Sequence, residues 1–300
     1  MQDWRPSQAR SELQATLVSA QSADGGWPYY AGRASRIEPT CWAVMALSAL
    51  PGPAAPVIAR ARAFLRALQQ KNGLLVEAGM PGPNNAWNGL ALLADMSIDG
   101  EGGLLRPALI AGLLSVKGIA LEEDSAPVRQ NNRLQAWSWT DGTFSWIEPT
   151  TWCVLALKKS GVSSALARTR LTEAEAMILD RVCDGGGWNY GNAQVLGQDL
   201  RPYVPTTALA LMAMQDRREQ RAIAASLNWL KAHSDVEPAS MALSLSTIAL
   251  QVARESADAP RERLLRQAPG TQAFGNRHLV AMALYALTSA EHGARAFTIA

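Results

Sequence analysis

Glu38-Pro-Thr-Cys-Trp-Ala-Val-Met-Ala-Leu47 and Glu148-Pro-Thr-Thr-Trp-Cys-Val-Leu-Ala-Leu157 are two copies of one phrase. Four further segments align beneath them: Pro83-Asn-Asn-Ala-Trp-Asn-Gly-Leu-Ala-Leu-Leu93, Val204-Pro-Thr-Thr-Ala-Leu-Ala-Leu-Met-Ala-Met214, Glu237-Pro-Ala-Ser-Met-Ala-Leu-Ser-Leu-Ser246 and Arg277-His-Leu-Val-Ala-Met-Ala-Leu-Tyr-Ala-Leu287. The spacing is irregular, around a repeat of about 40 to 50 residues. Most copies open on a helix-start signal. Proline suits the first turn, where its missing N–H is no loss. Glu38, Glu148 and Glu237 place negative charge at the positive end of a helix dipole. The remainder of each segment is apolar almost all round, the pattern of a helix buried on every face.

Between these segments the pattern changes to one apolar stripe and one polar face. The stretches are Ser11–Ala20, Pro56–Gln70, Leu105–Val116, Leu171–Val182, Glu219–Ala232 and Arg261–Gln267. In the second, Ile58, Ala61, Phe64, Leu65 and Leu68 recur at helical spacing. Glycine turns are expected at Ser22–Trp27, Asn72–Leu75, Thr140–Phe144, Cys183–Trp188 and Pro269–Gly275. Six buried helices alternating with six amphipathic ones predict an all-α (α/α)6 toroid. An open solenoid would leave one face of each inner helix wet, so all-round apolarity favours closure. Residues 1–300 read as one domain with little strand signal.

Composition agrees. Of 300 residues, 48% are hydrophobic and 18% charged, which excludes a disordered chain. The net charge is +2 with no basic stripe, so nucleic acid is not an expected partner. Cys41, Cys153 and Cys183 form no CxxC pair and no disulfide framework. The N-terminal MQDWRPSQARSELQ has no apolar export core, and the most apolar stretch, Leu104–Leu121, is interrupted by Arg106, Pro107 and Lys117. The expectation is a cytoplasmic protein.

Gln21-Ser-Ala-Asp-Gly-Gly-Trp27 resembles the QxxxGxW repeat, the QW motif of squalene–hopene type cyclases. Gln69-Gln-Lys-Asn-Gly-Leu-Leu75 is a degenerate version with Leu for Trp, and Asp184–Trp188 keeps the turn with Val182 in place of Gln. With the inner-helix starts at Pro39, Pro149 and Pro205, the chain resembles the terpenoid cyclase and protein prenyltransferase superfamily, built from the prenyltransferase and squalene oxidase repeat. The resemblance implies inner helices that start at one mouth and surround an apolar cavity. It implies three chemistries to test. A D-x-D-D acid motif is absent; Glu38 and Glu148 fall at the place of its central Asp, with Arg36 and Pro39, or Trp146 and Pro149, at the flanking acidic positions. The prenyltransferase zinc ligands fall on Pro205, Thr207 and His278, of which His278 alone is a ligand type, so no metal is expected. A complement-type thioester sequence is missing. Such cyclases of triterpenes pair two helical domains, and one domain argues against that reaction.

The candidate acids are therefore Glu38 and Glu148. Trp42 and Trp152 follow each by four residues, on the same helical face. A carboxyl beside an indole face suits an acid with a cation-stabilising wall; the structural alternative is a capping Glu and a space-filling Trp. Trp27, Trp139, Trp146 and Trp188, with Tyr30 and Tyr190, are expected near the barrel end, where they would grip an apolar ligand or pack loops on helix ends. His278 joins them as a ligand-contacting residue. His233, His278 and His292 share no local motif with Ser or Cys. The expected partner is an apolar isoprenoid or lipid, with acid-initiated cyclisation or isomerisation as the reaction and no cofactor. The alternative is a non-catalytic toroid that binds a lipid, a membrane surface or a partner protein.

Overall fold

The computed structural model describes residues 5–50, 54–98, 105–121 and 129–299. Residues 1–4 of the segment read for an export core, and Leu104, lie outside the described residues. Twelve helices run through the described residues. The inner ones are α2 (Ile37–Ser48), α4 (Asn85–Met96), α6 (Ile147–Lys159), α8 (Val204–Ala213), α10 (Ser240–Val252) and α12 (Arg277–His292). They pack in that order, and α12 returns against α2 to close the ring. The outer ones are α1 (Pro6–Ser19), α3 (Ala55–Ala67), α5 (Arg106–Ser115), α7 (Ala165–Asp180), α9 (Arg221–His233) and α11 (Asp258–Phe274). The chain is an all-α (α/α)6 toroid.

The inner helices are apolar all round because they are covered all round. In α2 every residue from Pro39 to Leu47 is buried, and in α6 every residue from Pro149 to Leu157. Outer helices bury one stripe, such as Ala9, Leu13 and Leu17 of α1. At Gly89 of α4 an added Cβ would meet the Trp152 carbonyl carbon of α6 at 2.8 Å, so glycine lets these two inner helices meet backbone to backbone.

A polar latch joins four of the outer helices, α1, α3, α5 and α7, to the inner helix that follows. The Trp27 backbone N–H donates to Thr40 Oγ1 at 2.9 Å, Trp137 to Thr150 Oγ1 at 3.2 Å and Trp188 to Thr207 Oγ1 at 2.9 Å. In the second hairpin Leu75 and Asn88 Oδ1 make the same bond at 2.7 Å. The three indole N–H groups donate backward to outer-helix carbonyls: Trp27 to Leu17 at 2.7 Å, Trp137 to Leu113 at 2.9 Å and Trp188 to Ile178 at 2.7 Å. A buried N–H left without its partner costs about 1–3 kcal/mol, which explains the polar residue in the first turn of an otherwise apolar helix. The Gln21 amide donates to Gly25 O and, across to the next hairpin, to Val57 O, both at 2.8 Å. Gln69 repeats this toward Gly73 O at 2.9 Å and Leu105 O at 3.4 Å.

Three local expectations change. The turn expected at Pro269–Gly275 is helical: α11 carries Pro269 inside it and ends at Gly275, whose φ is +76°. Packing of α11 against α1, α10 and α12 outweighs the single lost backbone bond. The fifth inner helix begins at Ser240, so Glu237 lies ahead of it rather than in its first turn. The long connection after Trp188 holds a short hairpin, β1 (Gln194–Val195) and β2 (Gln198–Asp199), turned through Leu196 and Gly197 with φ of 52° and 75°.

Candidate active site

The six inner helices all start at one end of the ring, and four of their starts are tied down by neighbouring hairpins. The Ile37 N–H donates to Glu77 Oε1 at 2.6 Å, Asn85 N–H to Trp139 O at 3.0 Å, Ile147 N–H to Tyr190 O at 3.1 Å and Arg277 N–H to Tyr29 O at 2.8 Å. These bonds carry the loop residues to the mouth and fix the helices whose first turns hold Glu38, Glu148 and His278.

Glu38 is the hub. It accepts the Tyr29 hydroxyl, and its Oε1 stands 3.6 Å from His278 Nε2. Tyr29 and His278 meet edge to face with ring centroids 6.0 Å apart. Burial and then Glu38 push the Tyr29 phenol far above its usual range, so Tyr29 is a fixed donor. Burial lowers the His278 pKa more than Glu38 raises it, leaving a neutral imidazole at neutral pH. Behind Glu38 lies Glu77, 5% exposed, which pairs with Arg36 at 2.7 Å. Burial, the larger effect, raises the Glu77 pKa against the Ile37 N–H and Arg36.

Glu148 is half-buried. Burial first, and the Glu38 charge second, raise its pKa to about 7, while the Trp152 indole N–H works in the opposite direction. The two carboxyl groups stand close enough to interact: Glu38 accepts a phenol, and its charge adds to the burial that raises the Glu148 pKa.

Below the carboxyls the axis is aromatic. Trp42 and Trp152 meet edge to face at 6.0 Å, and Tyr285 of α12 lies 6.2 Å from Trp42. Phe297, beyond the end of α12, sits among them at 5.4 Å from Trp42, 6.1 Å from Trp152 and 5.1 Å from Tyr285. Phe297 is fully buried.

Of the residues singled out from sequence, Glu38, Glu148, Trp42, Trp152 and His278 come together. Trp27 and Trp188 are fully buried, and their indoles point back at the outer helices as latches. Trp139 packs half-buried on the core and lends its carbonyl to α4. Trp146 stacks on exposed Phe144 at 5.1 Å. Tyr30 packs on Phe274 at 5.9 Å and is 41% exposed; Tyr190 packs on Tyr203 at 5.3 Å and is 54% exposed. Sequence reasoning placed Tyr29 near the mouth but missed its bond to Glu38, and it missed Glu77, Tyr285 and Phe297. Glu77 carried a signal, a lone acid in the apolar run Leu74-Leu-Val-Glu-Ala78. Among the described residues no group of three His, Cys, Asp or Glu is arranged to hold a metal, and no helix is long and apolar enough to cross a membrane.

No family model matches the chain, and no curated protein matches it. Solved structures do. A protein from Actinoplanes is 15% identical, with a TM-score of 0.61 over 95% of this chain and 100% of that one. Rex8A from Paenibacillus barcinonensis, solved with an arabinofuranosyl-xylotetraose, is 12% identical, with a TM-score of 0.58 over 99% of this chain and 95% of that one. The type II terpene cyclase MstE from Scytonema is 16% identical, with a TM-score of 0.38 over 76% of this chain and 80% of that one. At these identities the likeness is one of fold alone.

Proposed function

We propose that the protein takes an apolar, isoprenoid-type molecule at the mouth of the ring and acts on it with Glu148 as a general acid. The observation that carries this is the convergence of Glu38, Glu148 and His278, from three inner helices, on an aromatic axis of Trp42 and Trp152. Phosphate groups do not suit the mouth. Arg36 is already paired with Glu77, and four inner-helix starts already spend an N–H on protein acceptors. The ligand is therefore read as uncharged.

A carboxyl titrating at about 7 carries its proton on roughly half of the molecules at neutrality and is a weak acid. It suits an oxygen acceptor, such as an epoxide or allylic hydroxyl on the isoprenoid, better than a bare double bond. In the step, the Glu148 O–H breaks and its proton goes to that oxygen. The C–O bond opens, and positive charge develops on carbon beside the Trp42 and Trp152 faces, where a cation is attracted to the ring. A C–H beside the cationic carbon, before or after ring closure, then gives its proton back to the Glu148 carboxylate. With an epoxide the oxygen stays on the product as a hydroxyl, so cyclisation or isomerisation results with no net change in protons; with an allylic hydroxyl it leaves as water, and the product is the dehydrated, cyclised or rearranged alkene. Burial first, and the charge of Glu38, which Tyr29 holds, second, raise the Glu148 pKa and favour its protonated form.

A second reading, a non-catalytic toroid that binds a lipid or a partner protein, draws on exposed apolar side chains around the short hairpin: Tyr190, Leu196, Leu200 and Tyr203. Glutamine keeps the shape of glutamate and removes its proton. Glu148→Gln is expected to abolish turnover of an epoxidised or hydroxylated isoprenoid while retaining its binding. Normal turnover by both Glu148→Gln and Glu38→Gln sinks the acid reading; binding without turnover in the unmodified protein moves the weight to the second.

A further inference from the structure

The segment after α12 does not leave the ring. It turns at Gly293, whose φ is +78°, and runs back under the inner helices as a strap over residues 293–299. Trp42 lies six residues before the end of α2, a depth of about 9 Å at 1.5 Å per residue. Phe297, in contact with Trp42, Trp152 and Tyr285, therefore reaches the middle of the axis from the end opposite the carboxyls.

The strap's backbone is held by side chains of the ring. Lys159 Nζ donates to Arg295 O at 2.7 Å and Thr298 O at 2.9 Å. Gln215 donates to Phe297 O at 2.9 Å and accepts from Ile299 N–H at 3.0 Å. Tyr285 Oη accepts from Ala296 N–H at 3.0 Å. Beside the strap is a half-open cavity of about 400 Å³ with a mixed wall: Met45, Met96 and Tyr285 on the apolar side, Lys159 and His292 on the polar one, and Arg295 of the strap itself. Methionine walls adapt to guests of different shape. One face of the strap thus closes the axis, and the other borders empty space with an apolar component.

We infer that Phe297 occupies the inner part of an apolar ligand site between Trp42, Trp152 and Tyr285, and that a hydrocarbon chain enters the ring by displacing the strap toward that cavity. The ligand class is a flexible apolar chain. The inference rests on the reading of the ring as an apolar-ligand binder, and it is independent of whether Glu148 acts as an acid.

Farnesol and saturated dodecanol serve as probes, with quenching of tryptophan emission as the signal. Phe297→Ala is expected to tighten both by at least tenfold. Gln215→Ala keeps Phe297 and removes two strap bonds; it is expected to tighten both by a few-fold. It also gives a second route if Phe297→Ala does not fold. In the unmodified protein, saturating farnesol should speed hydrogen exchange at the Phe297 and Thr298 amides, which bond to Ala294 O at 2.9 and 3.1 Å. Affinity unchanged in every folded variant, with exchange at 297–298 unaltered by farnesol, overturns the inference. Tighter binding combined with full activity in Glu148→Gln would keep the strap and remove the acid. Tighter binding of dodecanol alone would keep the strap and remove the isoprenoid preference.

Discussion

Glu148→Gln tests the site without a substrate, because the Glu148 carboxyl is built into the pH dependence of stability. Its pKa rises from 4.5 to about 7 on folding. At about 1.4 kcal/mol per pH unit, that is about 3 kcal/mol against the ionised form, and the partial exposure of the side chain at the mouth lowers the expected value to about 1–3 kcal/mol. For a carboxyl with a raised pKa, the folded state keeps a proton that the unfolded chain releases above pH 4.5. Stability from this group is complete below that pH, falls as pH rises to about 7, and stays reduced above it. Glutamine abolishes the fall. Urea unfolding of the two proteins at about pH 4.5, 6 and 8 should show the variant gaining about 1–3 kcal/mol on the unmodified protein between the first and the last. Glu77, shifted in the same sense, and His278, shifted in the opposite one, remain in both proteins and largely cancel in the comparison. An unchanged pH profile in the variant would refute the claim that Glu148 is protonated in the fold. Glu38→Gln should lower the Glu148 titration, since the Glu38 charge is its second cause.

Thr40→Val keeps the shape and removes the acceptor of the Trp27 N–H at 2.9 Å, and should lower stability by about 1–3 kcal/mol in urea unfolding. Gly25→Ala should lower it by more than about 1 kcal/mol, because φ is +91° and the new Cβ would meet Arg60 O at 2.5 Å; Gly32→Ala, at φ +75° with open space around it, is the control and should be milder. Gly26, in the same turn as Gly25, is limited by Ser35 Cβ at 2.6 Å, so Gly26→Val should destabilise through packing. Elemental analysis of purified protein should find less than one zinc per chain, since Pro205 and Thr207 stand where ligands would be needed; one tightly held zinc would make His278 a ligand.

The ring was legible because burial leaves a periodic trace. The buried run Pro39–Leu47 of α2 must be compatible throughout with an apolar setting, and that constraint returns in each inner helix. Glu38 and Glu148 were legible for the opposite reason: an acid beside such a run has to be tolerated by something. The groups that balance them were not. Tyr29 reaches Glu38 across a glycine-containing loop, and Glu77 caps α2 from the far side of the next outer helix. Neither distance has a local periodicity. The tryptophans misled in part, because Trp27 and Trp188 follow glycine turns whether they serve a ligand or a latch; only the Thr40 and Thr207 partners tell which. Phe297 sits in a short polar-apolar mixture, Arg295-Ala-Phe-Thr-Ile299, with no pattern that marks an aromatic bound for the axis.

Closure of the ring has an electrical consequence. The six inner helices run the same way, so about half a positive charge from each gathers at the mouth and about half a negative charge at the far end. The far end is matched by Lys158 and Lys159 in the last turn of α6 and His292 in the last turn of α12. A cation made beside Glu148 would start at the unfavourable pole of this field. It is pushed from that pole toward the indole faces of Trp42 and Trp152, and the lysines at the far end hold it there. In the proposed reaction the ring would hold charge at the aromatic middle of the axis, apart from the carboxylate that would otherwise recapture it at once.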